Sequence, residues 1–241
     1  MKLVSYDLKT FRDVFVGVGN IIDEIIIEVD NDGVRVNGLD KAHISFVSLK
    51  IDNDWFDEFY CDEVDKICVD AGELIKVLKR GKVDDILRIE VNNNDLILIF
   101  DGESRRNFKI RLIDVTYESP MPPKLDYDVD FELSYKLLKD FIDDVNIYSD
   151  KIKLRVYNDN LYIVGDSEFG SVDGAYVLDT DFNCDISSVF AINRLNDMMK
   201  CNLNGFVGLK LGNDMPLSLY CVNDSEDIMI SFILAPSIER E

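Results

Sequence analysis

The chain has 241 residues and a formal net charge of −21, with 47% hydrophobic and 30% charged residues. This composition excludes a wholly disordered protein, because such chains carry too few apolar residues to form a core. The length allows one large domain or two of ordinary size. No apolar run approaches the roughly 20 residues of a membrane span, and "MKLVSYDLKTF" lacks the apolar segment of a signal peptide, so we expect an intracellular protein.

Four short helices are predicted along the chain from apolar residues that recur every three or four positions. They cover the region of 11–18, then 73–80, the region of 138–145, and 191–200. Alternating segments such as "ILRIEV" and "NFKIRLI" lie between them and predict strands. One such helix would indicate only an amphipathic helix on a sheet. The same arrangement recurs four times, with lysine and arginine biased toward the polar faces.

The stretch "LIKVLKRGK" (74–82) places four basic residues within nine positions of this acidic chain. At 100° per residue, Leu74 and Leu78 fall on one helical face, and Lys76, Lys79 and Arg80 fall on the opposite face. The stretch therefore concentrates positive charge on the polar face of a predicted helix.

Two segments superimpose with a constant offset, since 165 − 38 = 127: "IIIEVDNDGVRVNG" (25–38) and "IKLRVYNDNLYIVG" (152–165). Both alternate between apolar and polar residues around an Asn/Asp turn, which predicts a hairpin. The same offset relates the upstream helices, where Phe11 corresponds to Leu138. Agreement over two kinds of element predicts a tandem duplication.

A proline-bearing segment, "DVTYESPMPPKLDYD" (114–128), separates the two copies. Its three prolines remove backbone donors and favour extended geometry, which is typical of a linker. We therefore predict an N-terminal domain at 1–116, a connector at 117–127 and a C-terminal domain at 128–241.

Three further segments resemble sliding clamps of the proliferating cell nuclear antigen (PCNA) family. "GLDKAHISFVSL" (38–49) resembles the hairpin-to-strand segment of that family. "MPLSLYC" (215–221) and "FILAPSIERE" (232–241) resemble its closing strand and tail, where Leu-Ala-Pro-x-Ile is the most specific match. The connector also lies where such a clamp has its interdomain linker. The resemblance covers the whole chain, and archaeal members are the closest in length.

The resemblance implies an α+β DNA clamp fold of two similar domains, each with antiparallel sheets outside and two short helices inside. Three subunits would form a homotrimeric ring around duplex DNA. Its contacts would be with phosphates and independent of sequence. Combined with the basic helical faces, it assigns these residues to DNA: Lys9, Arg12, Lys76, Lys79, Arg80, Lys82, Lys136, Lys139 and Lys200. Asp140 and Asp143 share the third helix, so we expect weaker DNA contact in the second domain.

The resemblance also implies a pocket for short partner motifs that carry a glutamine and a hydrophobic plug. Its predicted residues are Leu39, His43, Ile44, Phe46, Met121, Pro123, Leu125, Tyr127, Pro216, Leu234, Ala235, Pro236 and Ile238. Taken one at a time, these residues could equally belong to the core. The implied partners are a clamp loader ATPase, DNA polymerase, ligase and flap nuclease, with no membrane.

Ring closure in this family pairs an edge strand of one subunit with an edge strand of the next. Position in the repeat suggests "RRNFKIR" (105–111) and the region of "SVDGAYVLDTD" (171–181) as these edges. Opposite charges would select the correct pairing. The predicted contact residues are Arg105, Arg106, Phe108, Lys109, Ile110, Arg111, Asp173, Tyr176, Leu178 and Asp179.

Catalysis has little support in the sequence. His43 is the only histidine, and "RGKVDD" lacks the first glycine and the Ser/Thr of a phosphate-binding loop. The cysteines are too widely spaced for a zinc site. We therefore expect no enzyme activity, cofactor or metal, and a cytoplasmic location near the nucleoid if the protein is archaeal. The alternatives are a subunit of a heterotrimeric or repair-specific clamp and, more remotely, a divalent-metal phosphodiesterase.

Overall fold

A computed structural model describes residues 1–61, 64–180, 182–201 and 203–237. The chain divides into two compact units. Unit 1 comprises Met1–Pro122 and Val222–Ile230, and unit 2 comprises Pro123–Cys221 and Ser231–Glu241. The domain boundaries given above stay a prediction.

Unit 1 contains two sheets. Its strands are β1 (Lys2–Ser5), β2 (Glu24–Asp30), β3 (Gly33–Leu39), β4 (Ser45–Asp52), β5 (Glu58–Tyr60), β6 (Asp65–Asp70), β7 (Ile86–Asn92), β8 (Asp95–Asp101), β9 (Arg105–Arg111) and the first residues of β17 (Ile228–Leu234). One sheet has the order β5-β1-β7-β8-β9, with all neighbours antiparallel. The other has the order β17-β4-β3-β2-β6. Their alternating sequences explain why one face of each sheet is apolar.

The helices of unit 1 are α1 (Leu8–Gly19) and α2 (Ala71–Leu78), and a 3-10 turn covers Asn53–Trp55. Asp7 caps α1 by accepting a hydrogen bond from the Thr10 amide at 2.9 Å. Asp70 caps α2 by accepting one from the Glu73 amide at 2.8 Å. This cap explains why α2 begins at Ala71, two residues before the predicted start.

Both helices and both sheets of unit 1 contribute to one apolar core. One cavity within it has a volume of about 20 Å³, which is small enough to fit closely packed elements. The residues that line the cavity are Met1, Leu3, Phe11, Phe15, Ile27, Val29, Val34, Ile67, Leu74, Ile89, Leu96 and Leu98.

Unit 2 repeats this plan. Its strands are β10 (Val129–Ser134), β11 (Lys151–Tyr157), β12 (Asn160–Ser167), β13 (Gly170–Val177), β14 (Asp185–Ala191), β15 (Phe206–Leu211), β16 (Leu217–Val222) and the later residues of β17. They form sheets of order β13-β12-β11-β14 and β10-β15-β16-β17. The helices are α3 (Tyr135–Val145) and α4 (Ile192–Met198). Four helices among antiparallel strands confirm the predicted α+β class.

The two predicted hairpins are confirmed, with equivalent registers. Ile27 pairs with Val36 across β2 and β3. Leu154 pairs with Ile163 across β11 and β12, and each of these residues lies 127 positions after its counterpart. Apolar alternation on both strands sets this register, because a shift of one residue would turn every side chain to the other face.

Each repeat also needs a glycine where a strand passes beneath a neighbouring side chain. A Cβ atom on Gly38 would collide with Ile22, and one on Gly165 would collide with Val145. The two glycines are 127 residues apart and lie in β3 and β12. The absence of a side chain therefore allows the same close approach in both units.

Gly165→Ala should lower the free energy of unfolding by about 1–3 kcal/mol, because the added methyl group must displace the buried Val145. Urea denaturation followed by circular dichroism at one fixed protein concentration measures this change. Gly72→Ala in α2 is the control, since the only nearby atom is Oδ1 of Asp70, at 3.1 Å. We expect it to change stability by less than about 1 kcal/mol. Equal losses in both variants would contradict the packing argument.

Candidate nucleic-acid interface

The two helices of unit 1 lie side by side. The end of α1 approaches α2 so closely that a Cβ on Gly19 would collide with Ile75. On the polar faces, the side chains of Lys9 and Lys76 are 60% and 72% exposed, and that of Arg12 is 24% exposed. Because the helices are adjacent, these basic groups belong to neighbouring surfaces.

Acidic residues of the same helices already pair with several of these cations. Nζ of Lys9 lies 3.2 Å from Asp13, and Nζ of Lys76 lies 2.6 Å from Glu73. The hydrogen bond to Glu73 raises the pKa of Lys76 above its ordinary value, so this side chain stays charged. Exposed pairs contribute only about 0–1 kcal/mol, so a phosphate group can replace the carboxylate. The spacings of three and four are the sequence signal by which such pairs are predicted.

A tight turn follows α2 and carries three of the predicted DNA-binding residues. We call residues 79–82 the basic turn. Its backbone is held by the amide of Gly81, which donates to the Leu78 carbonyl at 3.1 Å. A Cβ on Gly81 would collide with Leu8 at the start of α1. Nζ of Lys82 lies 2.9 Å from the exposed Glu103.

The basic positions of α1 recur in α3. Lys136 and Lys139 lie 127 residues after Lys9 and Arg12, but Lys139 pairs with Asp143, where α1 has a valine. Overall α3 carries two basic and three acidic residues, whereas α1 carries two basic residues and one acidic residue. The surface of α3 is therefore net negative, and that of α1 is net positive.

The helix α4 adds one of the predicted basic residues just after its end. Nζ of Lys200 lies 2.6 Å from Asp197, one turn earlier. Within the described residues, every helix thus holds a carboxylate near at least one predicted basic side chain.

Arg106, predicted at a subunit contact, turns its guanidinium toward its own unit. It forms an ion pair with Asp85, whose side chain is only 3% exposed, and lies 5.4 Å from the ring centroid of Phe100. A buried carboxylate requires such a cation, because an isolated buried charge is strongly unfavourable. Asp85 is a residue that the sequence pattern did not reveal, because its partner lies 21 positions away.

Four predicted docking residues of unit 1 lie in or beside a loop shaped by Asp40: Leu39, His43, Ile44 and Phe46. The buried carboxylate of Asp40 accepts hydrogen bonds from the amides of Ile44 at 2.8 Å and Ser45 at 3.0 Å. His43 in this loop has a positive φ of 58°. The loop leaves Leu39 and Ile44 about two-fifths exposed, at 41% and 38%.

The other predicted docking residues differ widely in exposure. Met121 is 86% exposed, whereas Phe46 and Leu234 are buried in their own units. Pro123 is exposed, and partly exposed residues complete the set: Leu125, Tyr127, Pro216, Ala235 and Pro236. Ile238 lies outside the described residues. Phe46 and Leu234 therefore support the core and have little surface to offer a partner.

Both predicted interface segments lie at sheet edges. β9 is the last strand of the β5-β1-β7-β8-β9 sheet, and β13 is the last strand of the β13-β12-β11-β14 sheet. The charged residues on their exposed sides are Arg105, Lys109 and Arg111 on β9, Asp173 on β13, and Asp179 just after it. Within the described residues, the outer side of each edge strand thus has no strand partner, and the two edges are opposite in charge.

The apolar residues of these edges need a correction. Ile110 and Leu178, predicted as contact residues, are 6% and 4% exposed, because their own units cover them. Phe108 and Tyr176 are partly exposed and keep surface for a contact. Val177 is 67% exposed and was not predicted, since alternation alone does not tell which face of an edge strand is covered.

Two other classes of feature are not found in the described part of the chain. It has no group of three or more His, Cys, Asp or Glu side chains that could hold a metal ion. None of its helices combines the length and hydropathy needed to cross a membrane.

The sequence is similar to known clamps. Residues 7–119 match the family described as proliferating cell nuclear antigen, N-terminal domain. The DNA polymerase sliding clamp of Methanothermobacter thermautotrophicus is 39% identical over 236 residues, which cover 98% of this chain and 97% of that protein.

Two solved structures share the fold. PCNA from Thermococcus kodakaraensis has a TM-score of 0.91 at 20% identity, over 98% of this chain and 99% of that one. A chain of the PCNA2–PCNA3 complex from Sulfolobus tokodaii has a TM-score of 0.89 at 22% identity, over 99% and 100% of the two chains. These likenesses confirm the predicted two-domain clamp fold.

Proposed function

The chain belongs to the PCNA family of DNA polymerase sliding clamps, and from this premise we propose that three copies form a homotrimeric ring that encircles duplex DNA and tethers replication and repair proteins to it. The observation that carries the proposal is the 39% identity with a sliding clamp over almost the full length of both chains. The native mass in solution tests the assembly, since a homotrimer has three times the 27.6 kDa of one chain.

The basic faces of α1, α2 and the basic turn support a DNA-facing role. Duplex DNA carries one negative charge per roughly 1.7 Å of axis. Salt screens charges beyond about 8–10 Å, so a basic surface can act locally in a chain of net charge −21. Contacts to phosphates alone do not depend on sequence, which allows the ring to slide.

The exposed apolar residues Leu39, Ile44 and Met121 support partner docking. Two aromatic side chains of a partner motif would bury about 150–250 Å² each, worth on the order of 8–12 kcal/mol in gross terms. Association costs of about 4–15 kcal/mol leave a weak to moderate affinity. Partners such as polymerase, ligase, flap nuclease and clamp loader would therefore exchange on one ring. In this role the chain is not an enzyme, and it works in the cytoplasm.

Changing Lys76, Lys79 and Arg80 together to Ala should weaken duplex binding. The slope of log affinity against log salt concentration should also become shallower, by the amount expected for about three lost phosphate contacts. The fold and assembly should be unchanged, because these side chains point away from the core. Fluorescence anisotropy of a labelled duplex at increasing salt gives both quantities. The control is a variant in which three strand residues are changed to Ala: Lys2, Lys50 and Lys66. It removes the same amount of positive charge from outside the helices. Changing Lys136 and Lys139 should matter less, and equal binding by wild type and the first variant would refute the assignment.

Changing Met121 and Leu125 to Ala, or deleting residues from Ala235 onward, should lower the affinity for a peptide that carries a glutamine and two aromatic residues. We expect a loss of about tenfold or more. The reason is the loss of apolar contact area, so duplex binding should stay the same. Isothermal titration calorimetry measures the affinity. Met229→Ala is the control, since Met229 is another exposed methionine, at 41%, but has no assigned partner role. Unchanged peptide affinity in both test variants would show that the motif binds elsewhere.

Lys109→Glu combined with Arg111→Glu should convert the trimer to folded monomers. The two carboxylates that these changes introduce on β9 would repel the acidic edge β13 of the next subunit. Single exposed ion pairs are worth only about 0–1 kcal/mol, but each pair recurs at every interface of a threefold ring. Size-exclusion chromatography with light scattering, at low micromolar protein and moderate salt, reports the mass. Lys2→Glu with Lys50→Glu serves as the charge-matched control. A double variant on β9 that stays trimeric would exclude this edge.

A further inference from the structure

The basic turn is closed by a buried carboxylate. Asp85 accepts a hydrogen bond from the Lys82 amide at 2.7 Å, and its own amide donates to the Lys82 carbonyl at 3.1 Å. A Cβ on Gly102 would collide with this carboxylate, so the backbone of Gly102 packs directly against it. Asp85 therefore fixes the backbone of Lys82 from inside the unit.

Arg106 joins this carboxylate to the other end of the turn. One guanidinium nitrogen pairs with Asp85, and Nη1 donates to the backbone carbonyl of Arg80 at 2.7 Å. The Arg80 carbonyl lies two residues after α2, near the negative end of the helix dipole, so a cation is favourable there. Phe100 lies beneath the guanidinium and limits its movement.

We propose that Arg106 is a positioning residue for DNA binding. Through Asp85 and the Arg80 carbonyl it holds the basic turn in one conformation, with Lys79, Arg80 and Lys82 directed to the duplex, without touching DNA itself. The role rests on the proposed function of these side chains. It requires the planar fork of arginine, because a lysine ammonium cannot hold both acceptors in the same geometry.

The test uses Arg106→Lys and the double variant Asp85→Asn with Arg106→Gln, which leaves no unpaired buried charge. Each should weaken duplex binding about threefold to tenfold at low salt and remain trimeric. Hydrogen exchange of the Lys82 amide should become faster in both. Arg88→Ala is the control, because Arg88 lies in the same sheet with 31% exposure, and its closest carboxylate contact is 3.7 Å.

A double-mutant cycle separates positioning from direct contact. In a background with Lys79, Arg80 and Lys82 changed to Ala, Arg106→Lys should cause little further loss of binding if it acts through the turn. Additive losses would mean that Arg106 contacts DNA itself, and a monomeric Arg106→Lys variant would mean that it is a subunit contact. The proposal would also be overturned if the Arg106→Lys variant bound duplex as tightly as wild type and the hydrogen exchange of its Lys82 amide were unchanged. If the background variant alone bound duplex like wild type, the DNA assignment of the turn would fail instead, and the positioning role with it.

Discussion

The burial of one face of each helix against its sheets is the constraint on which the remaining structure depends. Val14 and Leu78 are fully buried, and Leu74 is 1% exposed. Burying an apolar side chain contributes about 1.5–3 kcal/mol, whereas an exposed ion pair contributes about 0–1 kcal/mol. Packing therefore determines the rotation of each helix about its axis. The basic side chains point to solvent because they lie opposite the apolar face, and not because a ligand attracts them.

This rotation explains how an acidic chain can offer a basic surface. The carboxylates of Asp13 and Glu73 lie within one helical turn of Lys9 and Lys76 and act as their counterions in the free protein. Such pairs are exposed and weak, so exchanging a carboxylate for a DNA phosphate changes the energy little. Binding of this kind depends strongly on salt and stays modest in strength. For a protein that slides, modest contact is an advantage, since a closed ring keeps its hold by topology.

Local patterns in the sequence were sufficient to predict the hairpins, the four helices and the polar faces. The offset of 127 residues predicted both hairpins correctly, because apolar alternation and an Asn/Asp turn determine a hairpin within a few residues. The role of Arg106 could not be predicted in this way, because it depends on the burial of Asp85, 21 residues earlier. Ile110 and Leu178 show the same limit. Their apolar character was visible, but whether their own unit or another subunit covers them depends on the folded structure.

The comparison of α1 with α3 shows how far surface charge is independent of the fold. Both helices place basic residues at the same two repeat positions, yet α3 has Asp143 and Asp144 where α1 has Val16 and Gly17. Asp143 is exposed and Val16 is only partly buried, so an exchange at this position leaves the packed core of the helix unchanged. After a duplication, such a face can lose positive charge while the buried face keeps its apolar residues. The two units can therefore share one fold and still carry different surface charge, because different faces of the same helix control stability and electrostatics.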